Sequence, residues 1–208
     1  MTRDSAAVSR RRDRQDIPAE IIDATRANFL HYGVNRTTMA DIARAVSMPR
    51  QTLYEYVSSR DDLVDAVLVK RITEIAEDIK PAGGEAASFA DALIETSVAA
   101  IRRARSDPEL MNIFNTGPAD RVQMVVAGNN PEIRNIVATL LAPILDRGAK
   151  SGMLRTDKTR DDIVDWIRIV YLSLINQPTA DPVRERELVA DFLLPSIMFS
   201  KHDTPART

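Results

Sequence analysis

No cysteine occurs among the 208 residues, which excludes disulfides, thiolate nucleophiles and thiolate-bound zinc. Histidine is almost as scarce. His31 and His202 stand at opposite ends of the chain, so a histidine-based metal site within one subunit is not expected. Glycine numbers only 7, and alternating polar and apolar runs are few, which argues against a sheet-rich architecture. No apolar stretch approaches the ~18 residues of a membrane helix. The opening MTRDSAAVSRRRDR has no apolar centre of the kind a secretory leader carries. Gly-x-Ser-x-Gly, His-Glu-x-x-His and the phosphate-binding glycine loop are all missing. These absences point to a cytoplasmic, non-enzymatic protein with no metal, no cofactor and no membrane segment.

Hydrophobic residues make up 44% of the chain, enough for a substantial core, and their spacing is helical, so the expected class is all-α. Net charge is −2, but it is unevenly divided. Residues 1–60 hold 10 Arg, no Lys and 7 acidic residues, giving +3; the remainder holds 18 basic and 23 acidic residues, giving −5. A positive N-terminal segment beside an acidic remainder suits a chain that meets phosphate with one end only.

The segment Thr37–Arg60, TTMADIARAVSMPRQTLYEYVSSR, has the organisation of a helix-turn-helix. Thr38 and Asp41 form a capping-box pair. Met39, Ile42, Ala43 and Val46 follow at helical spacing, and Ser47-Met48-Pro49 interrupts it. A second short helix then carries Arg50 to Tyr56. Ala43 is small where two helices would cross, and Ile42, Val46, Met48, Leu53 and Tyr56 form the expected apolar seam. Arg50, Gln51, Thr52 and Tyr54 are left facing away from that seam. This set suits DNA, because Arg reads guanine, Gln reads adenine and hydroxyls reach phosphate. Arg50, Gln51 and Thr52 are the expected base readers. Thr38, Tyr54, Tyr56 and Arg60 are the expected phosphate contacts, with seam packing the competing role for Tyr56.

Gly33, Thr37-Thr38-Met39, Ile42-Ala43, Thr52-Leu53-Tyr54, Tyr56 and Leu63 resemble the N-terminal signature of TetR-type transcriptional regulators, over about residues 21–68. The resemblance implies a three-helix DNA-binding domain and a larger helical domain that binds an effector and dimerises. It also implies repression from a palindromic operator. The chain departs from the family pattern at several points. Ser47 stands where Gly is usual in the turn, Pro49-Arg50-Gln51 replaces a common Ser-x-Gly, Val57 replaces an aromatic and Arg60 a Lys. Arg26 and Asn28 occupy usually apolar positions. The departures bear on which bases are read.

Along the chain, residues 1–15 read as a flexible basic arm, with Arg10-Arg11-Arg12 and Arg14 serving either as a solvated tail or as a contact to the DNA backbone or minor groove. Residues 16–60 read as the DNA-binding domain and 61–208 as the effector and dimerisation domain. A first helix starts near Ile17-Pro18 with Asp16 as its cap, buries Ile21, Ile22, Ala24, Thr25, Phe29 and Leu30, and stops at Gly33. A long helix from about Arg60 to Lys80 repeats Leu63, Val64, Val67, Leu68, Ile72, Ile75 and Ile79. The next, Phe89 to Arg105, ends in Arg102, Arg103 and Arg105, read as a solvated terminus matched to the helix dipole. Short helices follow at Pro108–Asn115 and Arg121–Ala127. A longer one from Glu132 to Ser151 contains Pro143. The helix opened by the capping box Thr159–Asp162 is apolar around most of its circumference. The last helix begins at Asp181-Pro182 and is bent or ended by Pro195. Surplus apolar surface on these last two long helices suggests a homodimer. Met111, Phe114, Asn115, Arg121, Met124, Trp166 and Tyr171 are the candidate lining of a pocket for a partly apolar small-molecule effector. The competing reading of the whole chain is a helical small-molecule carrier or enzyme with an incidental helix-turn-helix.

Overall fold

The computed structural model describes residues 17–84, 86–117, 126, 130–177 and 181–198. The N-terminal arm, Asp16, Arg121, Met124, the rest of the expected Arg121–Ala127 helix apart from Val126, and His202 lie outside the described residues. Among the described residues the secondary structure is helical, apart from one isolated antiparallel bridge between Leu154 and Met198. The chain divides into two compact units, Met1–Val67 and Leu68–Thr208.

In the N-terminal unit, α1 (Ala19–Tyr32) begins after Pro18, which offers no side-chain cap. Ile21, Thr25 and Phe29 recur every four residues and are buried. Thr25 tolerates burial because its hydroxyl donates to the Ile21 carbonyl at 2.7 Å. Leu30 was expected among them but is 57% exposed, since one step past Phe29 turns it about 100° away from the core. Gly33 ends α1 at φ 82°, with its amide on the Phe29 carbonyl.

Helix α2 (Met39–Ala45) starts at the Thr38–Asp41 capping box, with both reciprocal bonds present. It ends in a Schellman turn. Met48 N–H reaches the Ala43 carbonyl at 2.9 Å and Ser47 N–H the Arg44 carbonyl at 3.1 Å. Ser47 takes φ 51°, the one positive φ among the described non-glycine residues. A side chain there costs roughly 1 kcal/mol relative to glycine. Ser47→Gly is therefore expected to stabilise the unit by about 0.5–1 kcal/mol, read as a higher urea midpoint at unchanged slope.

Helix α3 (Arg50–Tyr56) inserts Leu53 into a core made with Ile21, Ile42, Ala43, Leu63 and Ala66. Tyr56 does not join this seam; it is exposed, and Val57 is buried instead as the chain leaves the helix in extended conformation. Helix α4 (Arg60–Ile79) follows and contributes Leu63 and Ala66 to the same cluster.

The C-terminal unit takes the second half of α4 and the 3-10 turn Lys80–Gly83. It continues with α5 (Phe89–Arg105), α6 (Pro108–Thr116), α7 (Pro131–Lys150) and α8 (Arg160–Ile175). Asp and Asn side chains at Asp107 and Asn130 cap α6 and α7, each with Pro at the first helical position. Pro143 lies inside α7, and Gly152 leaves that helix at φ 68°. Gly148 is a close-approach glycine, because a Cβ there would meet the Phe89 ring at 2.7 Å. The C-terminal segment is not one helix. It runs as α9 (Pro182–Leu188), a π-helical turn Val189–Leu193, and α10 (Leu194–Ile197). Pro195 lacks the amide an α-helix needs, and the wider turn precedes it.

The arginines closing α5 are not a solvated terminus. Arg105 bonds the Glu185 carboxylate and the Leu174 carbonyl, and Arg103 bonds Asp78 at 2.9 Å and Asp107 at 2.9 Å. Their partners stand on other helices, which a local dipole argument does not reveal.

Candidate nucleic-acid interface and effector cavity

Seven positions were expected to meet DNA, and the structure separates them. Arg50, Gln51 and Tyr54 are exposed on α3, and Thr52 is half-buried beside them. Arg50 Nη2 donates to the Tyr54 hydroxyl at 3.0 Å, and its guanidinium lies 5.4 Å from the Tyr54 ring centroid. The pair is i,i+4 on one helix, so the guanidinium is held against the face it would present to a base. Tyr56 is also exposed, at the end of α3.

Thr38 and Arg60 are engaged elsewhere. The Thr38 hydroxyl donates to Asp41 Oδ2 at 2.6 Å and accepts from the Asp41 amide at 3.3 Å. The Thr38 hydroxyl and amide hold the Asp41 carboxyl below its ordinary range. Arg60 Nη1 donates to the carbonyls of Val34 and Asn35, the nearer at 3.2 Å, and so secures the loop between α1 and α2. The sequence reasoning passed over Arg44. Its side chain is largely exposed near the end of α2 and pairs with Asp41 at 3.0 Å. An Arg at i+3 from a capping Asp is the signal that marks it.

The C-terminal unit contains a cavity of about 80 Å³. Ile72, Ile75, Ala76 and Ile79 of α4 form one wall over two turns. Ala100 and Ala104 of α5, with Leu110 and Phe114 of α6, form a second. Ile133, Ile136, Val137 and Leu140 of α7 face Arg168, Tyr171, Leu172 and Ile175 of α8, and Val126 completes the lining. Of the expected lining residues, Phe114 and Tyr171 are there. Met111 and Asn115 lie on other faces of α6, and Asn115 is exposed. Trp166 stands two residues before Arg168 on α8 but on another face; its indole N–H donates to Ser196 Oγ at 2.8 Å in a separate surface groove. The helix period explains the division: Arg168, Tyr171, Leu172 and Ile175 share a stripe that Trp166 does not. Tyr171 is buried, which raises its phenol pKa, and its hydroxyl donates to Ser97 Oγ at 2.8 Å. It is a neutral group at physiological pH.

Beside the cavity, Asp107 ties three helices together. It is 2% exposed; its Oδ1 accepts the Leu110 amide at 2.8 Å, and its Oδ2 accepts from Arg71 of α4 and Arg103 of α5. Burial alone would raise this carboxyl. The hydrogen bonds from Arg71, the Leu110 amide and Arg103 outweigh that and lower it to about 2. Among the described residues no group of three or more His, Cys, Asp or Glu is placed to hold a metal ion, and no helix is long and apolar enough to cross a membrane.

Residues 21–67 match the family model described as bacterial regulatory proteins, tetR family. An uncharacterized HTH-type transcriptional regulator of Mycobacterium tuberculosis is 23% identical over 177 residues, spanning 85% of this chain and 83% of that one. QsdR of R. erythropolis, a transcriptional repressor from the TetR family, has a similar fold. Its TM-score is 0.61 at 21% identity, over 88% of this chain and 95% of that chain. The transcriptional regulator FadR from Bacillus subtilis, solved in complex with stearoyl-CoA, is also similar, with TM-score 0.56 at 18% identity over 86% and 98% of the two chains.

Proposed function

Since the chain belongs to the tetR family of bacterial regulatory proteins through its DNA-binding unit, we propose that it is a cytoplasmic repressor that a small-molecule effector releases from a palindromic operator. The observation that carries this reading is the α3 face. Leu53 is fully buried behind it, while Arg50, Gln51 and Tyr54 stand exposed with Arg50 stacked on Tyr54. Arg50 and Gln51 read base edges, and Tyr54 meets phosphate and steadies Arg50. Thr38 and Arg60 act chiefly by holding the unit in shape, and any phosphate contact they make is added to that role.

The test uses a duplex from DNA adjacent to the gene. Arg50→Ala is expected to cost ~1–3 kcal/mol at its cognate site and to relax preference at one base position. Tyr54→Phe is expected to weaken all sites alike. Unchanged affinity and preference in both variants would reject the assignment.

Apolar surface supports the dimer. Trp166 and Ile169 on α8, Val183 on α9 and Phe192 in the π-helical turn are exposed, Phe192 to 64%. Covering them with a second copy forms a two-fold interface, which matches a palindrome with half-sites about one helical turn apart, or a multiple. Such an interface usually buries more than ~2,000 Å² in total. Light scattering at micromolar concentration is expected to give twice 23.1 kDa; a monomer mass would defeat the proposal.

The cavity is the effector site in this reading. Its volume of about 80 Å³ is roughly half that of a cavity known to hold benzene. An effector of ordinary size therefore displaces a wall, and α4 supplies one. The fold similarity to a regulator solved with stearoyl-CoA is compatible with an apolar effector here. A ligand that favours the displaced α4 and an operator that favours the undisplaced one oppose each other, with coupling of ~1–3 kcal/mol.

A further inference from the structure

Helix α8 buries one face in its own unit and leaves an apolar arc uncovered. Ile163, Ile167, Tyr171 and Leu174 are buried, as the helix period requires of a core face. On the other side Trp166 is 45% and Ile169 47% exposed, Ser173 is exposed, and Val170 is half-buried. These four fall within an arc of about 100° around the helix. None of them carries a charge. The C-terminal segment widens the patch. Arg105 bonds both Glu185 and the Leu174 carbonyl, and Ser196 accepts from the Trp166 indole. The segment therefore runs beside α8 from the end of that helix back toward Trp166. Phe192, 64% exposed, stands about one turn before Ser196 on the same side.

The arc has an internal order. Trp166 stands three residues before Ile169, and Ser173 three residues after Val170. A two-fold axis crossing α8 between Ile169 and Val170 therefore exchanges these positions in pairs. It sets Ile169 against the partner's Val170, and Trp166, the bulkiest residue of the arc, against the partner's Ser173, the smallest. Helices pack closely where a large side chain enters a hole left by small ones. Other antiparallel registers lose this match. An axis two residues earlier sets Trp166 against the partner's Ile169, and an axis at Trp166 sets two indoles against each other. An axis at Tyr171 sets Trp166 against the partner's Asn176, past the end of the helix. A two-fold axis also brings any charge near it close to its own copy, which costs energy, and the arc holds no charge there.

We infer that α8 packs antiparallel on the α8 of a second copy, about a two-fold axis between Ile169 and Val170, with each Trp166 seated over the partner's Ser173. The inference rests on the reading of the protein as a homodimer and gives that dimer a register. Each indole then fills a hole that only the partner supplies, the kind of central aromatic anchor that dominates interface energy. Phe192 adds apolar area beside the helix pair.

The test is an exchange of size, read by light scattering over a dilution series of the full chain. Both positions are exposed in the single chain, so neither substitution disturbs its core. Trp166→Ser sets small against small and is expected to raise the dimer dissociation constant about 10- to 100-fold. Ser173→Trp sets indole against indole and is expected to raise it at least about 100-fold. The double variant moves the large residue to the other member of each pair. It is expected to return to within about 10-fold of the unaltered protein, a coupling that two independent sites do not show. Trp166 is the one tryptophan of the chain, so its emission reports the contact without any substitution. That emission is expected to shift to longer wavelength as dilution separates the copies. A monomer mass at every concentration would overturn the homodimer and the register together. A dimer that tolerates Ser173→Trp, that the double variant does not restore, or whose Trp166 emission ignores dissociation would overturn the register and leave the homodimer standing.

Discussion

Replacing Asp107 by Ala is expected to destabilise the C-terminal unit by about 3–5 kcal/mol, because it leaves two arginines facing each other without the carboxylate they share. Arg71 and Arg103 both donate to Asp107 Oδ2, and both side chains are partly buried. The same substitution removes the N-cap of α6, whose Leu110 amide bonds Asp107 Oδ1 at 2.8 Å. Asp107→Asn keeps a capping oxygen and nearly the same volume, so it is expected to lose less than the Ala variant. Urea unfolding of the three proteins measures the order; equal stability of wild type and Asp107→Ala would show that the arginines find other acceptors at no cost.

The same carboxyl predicts a pH dependence. Its folded pKa of about 2 lies below the ordinary aspartate value of 3.8, so the unfolded chain binds more protons through that interval. Stability then rises with pH across it. The contribution, about 2 kcal/mol from the size of the shift, is fully present above pH ~4 and is lost as pH falls through ~2. Asp107→Asn is expected to flatten this part of the acid limb, with the remaining slope belonging to other carboxylates.

Local features were legible in the sequence, and assembled ones were not. Phe89 and Arg105 bound α5 as expected, because Ser88 caps its start and the apolar period stops at Ala104. The Thr38–Asp41 and Thr159–Asp162 boxes are four-residue patterns, and both formed as read. The exposure of Arg50, Gln51 and Tyr54 followed from helix period alone. The cavity could not be read this way. Ala100, Ala104 and Ile136 have the identity of any core residue, and only the approach of five helices makes them a lining. Arg168 was hidden in the apolar run from Ile163 to Ile175, where it and Asp165, the two charged residues, read as the solvated face. Arg105 was misread for a related reason: its partner Glu185 lies 80 residues away. The division of the C-terminal helix was signalled by Pro195, but a π-helical turn at Val189–Leu193 depends on the packing that buries Val189 and Leu193.

Leu53→Ala is expected to cost about 2–5 kcal/mol in the N-terminal unit and to abolish operator binding without touching a DNA-facing atom. Leu53 is fully buried, and it is the residue by which the seven-residue α3 holds its place against Ile42, Ala43 and Leu63. A helix of that length has little stability of its own. Its orientation, and with it the position of Arg50 and Gln51, therefore depends on this one insertion. The loss is a large share of the ~5–15 kcal/mol that typically stabilises a whole domain. Hydrogen exchange should show it as reduced protection of the amides in α2 and α3, in parallel with lost operator affinity. Leu53→Met keeps the volume and is expected to cost less than about 1.5 kcal/mol and to retain binding. Arg50→Ala supplies the contrast, since it removes a base contact from an exposed position and leaves exchange unchanged. If Leu53→Ala kept both its amide protection and its operator affinity, α3 would be held by something other than this side chain, and the seam drawn through Ile42, Ala43 and Leu53 would be wrong.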